Sequence, residues 1–331
     1  INMELRQIGT ALAEIQRGGK ICIISDRNVA PLYMDICRES LEEAGYGVWE
    51  YVLPPGEASK NGTNYLRILE YLATVPFTRS DGIVALGGGM VGDLAGFAAA
   101  TYMRGINVYQ VPTTLLAAVD SSVGGKTAID LPSGKNLAGA FHQPKLVLQD
   151  SRLLNTLPSD VYREGMAEVI KYGMIHDREL FKGVEDPTEV RNSLDEVIKT
   201  CVGIKKEYVE ADEFDRGLRH KLNFGHTLGH AMEQAEGYRL SHGDAVAKGM
   251  YWITRISAEQ GWCSRETLAA LEQLLRKYDF NLTLPENREE IYRILCSDKK
   301  RQGDTIRMVI PEEVGRCVIR EFHIREVKDL L

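Results

Sequence analysis

Glu168 and Lys171 stand three residues apart in EGMAEVIK, residues 164–171, a charged pair on an otherwise apolar helical stretch. His226 and His230 are four apart in NFGHTLGH, residues 223–230, which puts both rings on one face of a helix. His242 follows in SHGD, residues 241–244, at the start of the next helical pattern. A buried carboxylate with two or three imidazoles from different helices suits a divalent metal, and three protein ligands leave a fourth position for substrate. The HxxxH pair by itself invites a metalloprotease reading. The run is HTLGH, not HExxH, so the general-base glutamate that reading needs is missing. Cations gather around the set: Lys205 in a charged helix, Arg219 just before the histidines, and Lys299 and Lys300 in DKKR, residues 298–301, either as part of a site or as the solvated faces that Lys and Arg usually form. His142, His176, His220 and His323 have no partner pattern and read as local residues.

Glycine carries the second signal. Of 31 glycines, 11 fall between Gly82 and Gly139. Such crowding lets backbone approach a ligand or take positive φ. GGGMVGD, residues 87–93, follows an apolar strand and opens a small-residue helix. That arrangement offers N–H groups and a positive dipole end to a pyrophosphate, although it is neither GxGxxG nor a P-loop and also suits a structural tight turn. Asp26, Arg27 and Asn28 end the first clear strand, where open α/β sheets bind ligands; Asp26 suits either a ribose hydroxyl or the start of the next helix. DSSVGGK (120–126) and SGKN (133–136) set lysines among glycines, as an anion site would, or as exposed loops do.

The elements that must position these residues have two grammars. Strand patterns at 20–25, 47–53, 82–86, 106–111 and 145–149 alternate with helical segments such as 29–44 and 64–74, which predicts βαβ units and a mostly parallel sheet. From about Pro158 helices follow one another, at 160–175, 190–211, 222–236, 243–260, 265–278 and 288–297. Strand signals return at 305–310 and 316–322, as a late hairpin. The expected fold is a Rossmann-like α/β domain over residues 1–156 and a helical, metal-binding domain over 157–331, enclosing a cleft. The chain has 331 residues, 44% apolar and 26% charged, with a net charge of −7. These values exclude a low-complexity chain and a global attraction to nucleic acid or an anionic membrane, and the longest apolar stretches are too short to span one. Six scattered cysteines without a CxxC pair, and no basic-then-apolar leader in residues 1–5, suggest a reducing, cytoplasmic compartment.

Taken in order, Gly87–Asp93, PTTLLA (112–117), Asp120–Asp130, Glu164–Gly173, Leu222–His230 and His242–Met250 closely resemble the 3-dehydroquinate synthase family of the shikimate pathway. The likeness runs from about Lys20 to Phe322. It implies a phosphate-eliminating cyclase with NAD and one divalent metal, zinc or cobalt, in a homodimer. By resemblance the metal ligands are Glu168, His226 and His242, and His230 becomes a substrate contact. Asp120, Lys126, Asn136, Lys171, Lys205, Arg219 and Asn223 match substrate-site positions. Arg104 matches an arginine that reaches substrate phosphate across the dimer interface, and one of Lys299 and Lys300 does the same. The matching NAD positions are Asp26, Asn28, Glu57, Lys60, Gly87, Gly88, Gly89, Asp93, Thr113, Thr114 and Lys135.

The chain departs from the pattern at Asp215, where the family commonly has Glu, at Arg27, and in short ends with a poorly defined first strand near Glu4–Ile8. The implied reaction oxidises the substrate DAHP with NAD, eliminates phosphate, returns the hydride, opens the ring and closes a carbocycle. Three other readings remain. A metal-dependent polyol dehydrogenase would release NADH and needs no phosphate clamp. Another sugar-phosphate cyclase would differ in substrate, and a binding module would have lost a metal ligand.

Overall fold

The computed structural model describes residues 2–297 and 304–331, so Lys299 and Lys300 lie outside the described residues. The chain divides into two compact units, Ile1–Pro158 and Ser159–Leu331.

The first unit runs α1 (Ile8–Ala13), β1 (Lys20–Asp26), α2 (Ala30–Glu43), β2 (Gly47–Leu53), α3 (Gly62–Thr74), β3 (Gly82–Gly87), α4 (Gly89–Thr101), β4 (Asn107–Pro112), β5 (Lys126–Leu131), β6 (Gly134–Phe141) and β7 (Leu146–Val147). Five strands form a parallel sheet in the order β2-β1-β3-β4-β7. Successive residues of a strand point to opposite faces, so Ile21, Ile23, Val84 and Leu86 enter one core while Cys22, Ile24, Ile83 and Ala85 enter the other. A sheet covered on both faces explains why these strands read as unbroken apolar runs.

Two expectations fail here. The strand expected near Glu4–Ile8 is a 3-10 turn, Leu5–Gln7, leading into α1. Leu5, Ile8 and Leu12 are buried at helical spacing, and Glu4 and Gln7 cap the turn reciprocally, so the segment packs as a helix. The stretch of lysines among glycines, read as an anion site or as exposed loops, contains an antiparallel hairpin in place of plain loops, β5 with β6, running from Lys126↔Phe141 to Leu131↔Gly134. Thr127 and Ile129 alternate inward, a period-2 pattern that the surrounding glycines and lysines obscured.

The second unit runs α5 (Ser159–Ile175), α6 (Arg178–Gly183), α7 (Pro187–Asn192), α8 (Leu194–Ala211), α9 (His226–Ala235), α10 (His242–Glu259), α11 (Arg265–Lys277), α12 (Arg288–Ser297), β8 (Thr305–Glu313), β9 (Arg316–His323) and α13 (Ile324–Leu330). The late hairpin forms where strand signals returned. The helix expected over 190–211 is two. Asp186 and Pro187 start α7, and the Ser193 hydroxyl donates back to the Glu189 carbonyl at 3.0 Å before the chain restarts at Leu194. The helix expected over 222–236 begins only at His226, after a 3-10 turn, Leu218–Asn223, and a left-handed Gly225 at φ 78°. A Cβ at Gly225 would lie 2.5 Å from Met250 Cγ, so glycine is required there twice over. From Gly165 to Ile175 every residue of α5 is buried, and α6, α8 and α10 pack around it.

Candidate functional site

The burial of α5 takes two charges with it: Glu168 is 0% exposed and Lys171 1%. One helical turn sets them as an ion pair through Glu168 Oε2 and Lys171 Nζ. The other oxygen, Oε1, lies 3.5 Å from Nε2 of His226 and 3.5 Å from Nε2 of His242. Glycines bring the two imidazoles together. On α9 and α10, Cβ atoms at Gly229 and Gly249 would come within 2.8 Å of the Ala245 carbonyl and 1.9 Å of the Gly225 carbonyl, so the helices touch backbone to backbone. The His226 and His242 rings are 5.3 Å apart, and those of His226 and His230 5.4 Å.

Hydrogen bonding orients the set. His226 Nδ1 lies 3.1 Å from the Phe224 carbonyl, which can only accept, so this nitrogen carries the proton. Nε2 of the neutral ring is then an acceptor facing a carboxylate oxygen, and two acceptors converging on one point call for a cation. The donor set of one carboxylate and two imidazoles fits a divalent metal of the zinc type, and its ligand atoms lie within 4.8 Å of one another. Burial alone would raise the Glu168 pKa, but the Lys171 ammonium and then His226 outweigh it and hold the carboxyl well below its usual range. Burial presses His226 below its ordinary value. Burial opposes charge on His242 as well, yet its bonds to Glu168 and Glu233 win and push its pKa up to about 10. A bound cation would displace that proton.

Lys205 on α8 and Arg219 in the Leu218–Asn223 turn are buried, and α5 packs against both elements. Arg219 Nη1 donates to the Glu213 carbonyl at 2.6 Å, and Asn223 Nδ2 donates to the His220 carbonyl at 3.2 Å. Asp215 takes φ 55°, a left-handed conformation that Asp tolerates better than most residues. His230, with 40% of its side chain exposed, faces Glu233 at 3.9 Å. Sequence reasoning missed Glu233. The signal was there, since His226, His230 and Glu233 follow one another at helical spacing. With His242, His230 and Glu233 form a second three-donor group.

The remaining positions lie in the first unit. Lys60, 4% exposed, sits among Glu57 Oε1 at 2.8 Å, Asp93 Oδ2 at 3.2 Å, Asp130 Oδ1 at 3.9 Å and Asn136 Oδ1 at 2.8 Å. Burial opposes its charge, and the three carboxylates more than offset that and raise its pKa. Expected NAD and substrate positions thus meet in one cluster. Gly87 ends β3 and Gly88 precedes α4; none of Gly87, Gly88 or Gly89 has positive φ. Their need is room: Cβ atoms there would meet Val91, Thr114 and Ser121 at 2.7, 2.9 and 3.1 Å. The first bond of the α4 turn is Gly92 N to Gly88 O at 3.0 Å, leaving earlier N–H groups at the helix start suited to an anion. The Thr113 amide donates to the Gly87 carbonyl at 3.0 Å, and Thr114 Oγ1 accepts from Ala117 N at 3.2 Å. Asp26 Oδ1 accepts from the Asn28 and Val29 amides at 2.8 and 3.2 Å, so that oxygen serves the turn into α2. Asp120 lies on a π-helical turn, Ala117–Ser121, a conformation often found at functional sites. Lys126 opens β5, exposed, and Lys135 lies on β6. Arg104 is exposed at φ 68°, beside Met103 at φ 52°.

Outside the site, His142 Nε2 bonds the Ile106 carbonyl at 2.8 Å, His323 caps α13, and His176 stacks edge-on with Tyr208. None of the six cysteines forms a disulfide, and no helix among the described residues is long and apolar enough to cross a membrane.

Residues 50–164 match the family model for the 3-dehydroquinate synthase N-terminal region, and residues 165–301 match that for its C-terminal region. The chain is 45% identical to 3-dehydroquinate synthase of Clostridium acetobutylicum over 97% of its own length and 92% of that protein. It is 42% identical to the enzyme of Streptococcus gordonii, over 100% and 95%. Among solved structures, 2-deoxy-scyllo-inosose synthase complexed with carbaglucose-6-phosphate, NAD+ and Co2+ superposes with a TM-score of 0.88 at 27% identity, over 99% of this chain and 94% of that one. Glycerol dehydrogenase of Schizosaccharomyces pombe shares the fold at a TM-score of 0.67 and 15% identity, over 98% and 85%.

Proposed function

The chain belongs to the 3-dehydroquinate synthase family, and we propose that residues 157–331 hold its metal and substrate while residues 1–156 hold NAD and add further substrate contacts. It is an enzyme that eliminates phosphate from DAHP and cyclises the product to 3-dehydroquinate. Bound NAD supplies a hydride acceptor that is regenerated within the turnover, and a bound divalent ion supplies Lewis acidity at the alcohol being oxidised.

In this reading Glu168, His226 and His242 hold the ion, zinc in the first instance, with cobalt equally suited to the ligands. Lys171, Lys205 and Arg219 neutralise the substrate's carboxylate and phosphate. Fixed, buried cations do this at little reorganisation cost in a low-dielectric site. Lys126, Asn136 and Asn223 complete the substrate contacts, and His230 and Asp120 position the reacting centre and move its proton. Arg104, on its exposed and kinked turn, serves the neighbouring copy of a homodimer, as does one of Lys299 and Lys300. Asp26, Asn28, Glu57, Lys60, Gly87–Gly89, Asp93, Thr113, Thr114 and Lys135 surround NAD. Cysteines outside any disulfide accord with a reducing cytoplasm.

One observation carries the assignment: a fully buried carboxylate facing two imidazole Nε2 atoms at the same 3.5 Å, with a buried lysine one turn away. The neutral substrate of a polyol dehydrogenase has no use for such cations. Incubation with NAD, Zn2+ and DAHP tests the reading. Phosphate released without net NADH is expected; NADH accumulating from a polyol, with no phosphate from DAHP, would overturn it.

A further inference from the structure

Glu233 is 2% exposed, one of the few carboxylates drawn into the interior of the second unit. It lies on α9 beyond His226 and His230, on the same stripe. Its two oxygens face two different rings, Oε1 at 3.7 Å from His242 Nδ1 and Oε2 at 3.9 Å from His230 Nε2. His242 is thereby held between carboxylates, with Nε2 toward Glu168 at 3.5 Å and Nδ1 toward Glu233. His226 has the same arrangement with a different outer partner, its Nδ1 donating to the Phe224 carbonyl. We propose that Glu233 is a positioning residue: one oxygen holds His242 by its Nδ1–H so that Nε2 points into the metal group, and the other steadies His230 beside it. This rests on the reading of Glu168, His226 and His242 as the metal ligands.

The separations, 3.7 and 3.9 Å, are ion-pair distances, longer than a hydrogen bond. A neutral imidazole presents one lone pair. With Nε2 committed to the Glu168 group, Nδ1 keeps its proton and becomes a donor, for which a buried carboxylate is the matching acceptor. The rival arrangement makes Glu233 itself a ligand with His230 and His242. That group would engage His242 through Nδ1, leave the fully buried Glu168 outside the ligand set and rely on His230, a ring far more exposed than His226, so it is the weaker choice.

The test titrates metal-stripped enzyme with Co2+, reading its visible absorption band, stoichiometry and dissociation constant. Glu233→Ala should weaken Co2+ binding by about 10–100-fold and shift the band. Glu233→Gln, whose amide oxygen can still accept from Nδ1–H, should fall between Ala and the parent, and it alone decides the matter if the alanine variant does not fold. All should bind one ion. Unchanged affinity and band in the folded variants overturn the proposal. So does a parent that binds two ions and a variant that binds one, which would make Glu233 a ligand. Failure of the underlying reading looks different: His226→Ala would then leave Co2+ affinity and stoichiometry untouched.

Discussion

Glu168 and Lys171 are each other's principal reason for being tolerated inside a helix that is buried on every face. Desolvating two charges is offset only by their close contact and by the imidazoles beyond, and removing one partner of such a pair costs about 3–5 kcal/mol. Lys171→Ala should therefore lower the stability of metal-stripped protein by about 3 kcal/mol. Saturating Zn2+ should shrink that deficit, because the ion supplies positive charge at the same carboxylate and stabilises the folded state by mass action. Urea midpoints of stripped and loaded protein check this, and equal deficits in both would sink the argument. The residues themselves were legible in sequence, since a Glu and a Lys on an apolar helix are costly enough to need a purpose. Glu233 was legible only as a third residue at helical spacing after His226 and His230, because its contact with His242 depends on a ring that a separate helix provides.

At the level of elements, the site exists because α9 and α10 touch. Gly249 is the tightest point: its Cβ would fall 1.9 Å from the Gly225 carbonyl, and neither backbone can yield cheaply. Gly249→Ala should cost about 1–3 kcal/mol by overpacking and, by separating His226 from His242, weaken Co2+ binding with it. Equilibrium unfolding with a Co2+ titration measures both; lost stability with unaltered metal affinity would mean that helix spacing does not set the ligand distance. Helix and strand periods gave most elements close to their observed bounds. They failed where a local bond overrides the period, as at Ser193, whose hydroxyl turns back on α7. They failed again where glycines dilute the pattern, as in β5 and β6.

Across the molecule, the start of the first unit is fastened by Asp150. Its Oδ2 accepts from the Leu5 amide at 2.8 Å, across 145 residues, while Arg152 donates to both carboxylate oxygens at 2.8 Å. Burial opposes the charge, but the Arg152 guanidinium and the Leu5 amide outweigh it and lower the Asp150 pKa from 3.8. A depressed carboxyl pKa contributes stability that is fully present above about 3.8 and is lost as pH falls through the lower folded value. Asp150→Ala should thus cost about 1–3 kcal/mol at neutral pH, with the gap to the parent narrowing in acid. Parallel urea denaturations at about pH 7 and about pH 3 decide it, and a gap that widens in acid would refute the sign. By itself the sequence determined the two grammars, the apolar strands, the glycine turn before α4 and the donor types of the proposed metal group. Those are set by local period and residue chemistry, which short windows carry. Only the tertiary structure brought His242 and His226 to one carboxylate, set Glu233 behind His242 and gathered Lys60 with its three acids. Which side chain faces which is fixed by how separate helices and strands pack, and no spacing along one element contains it.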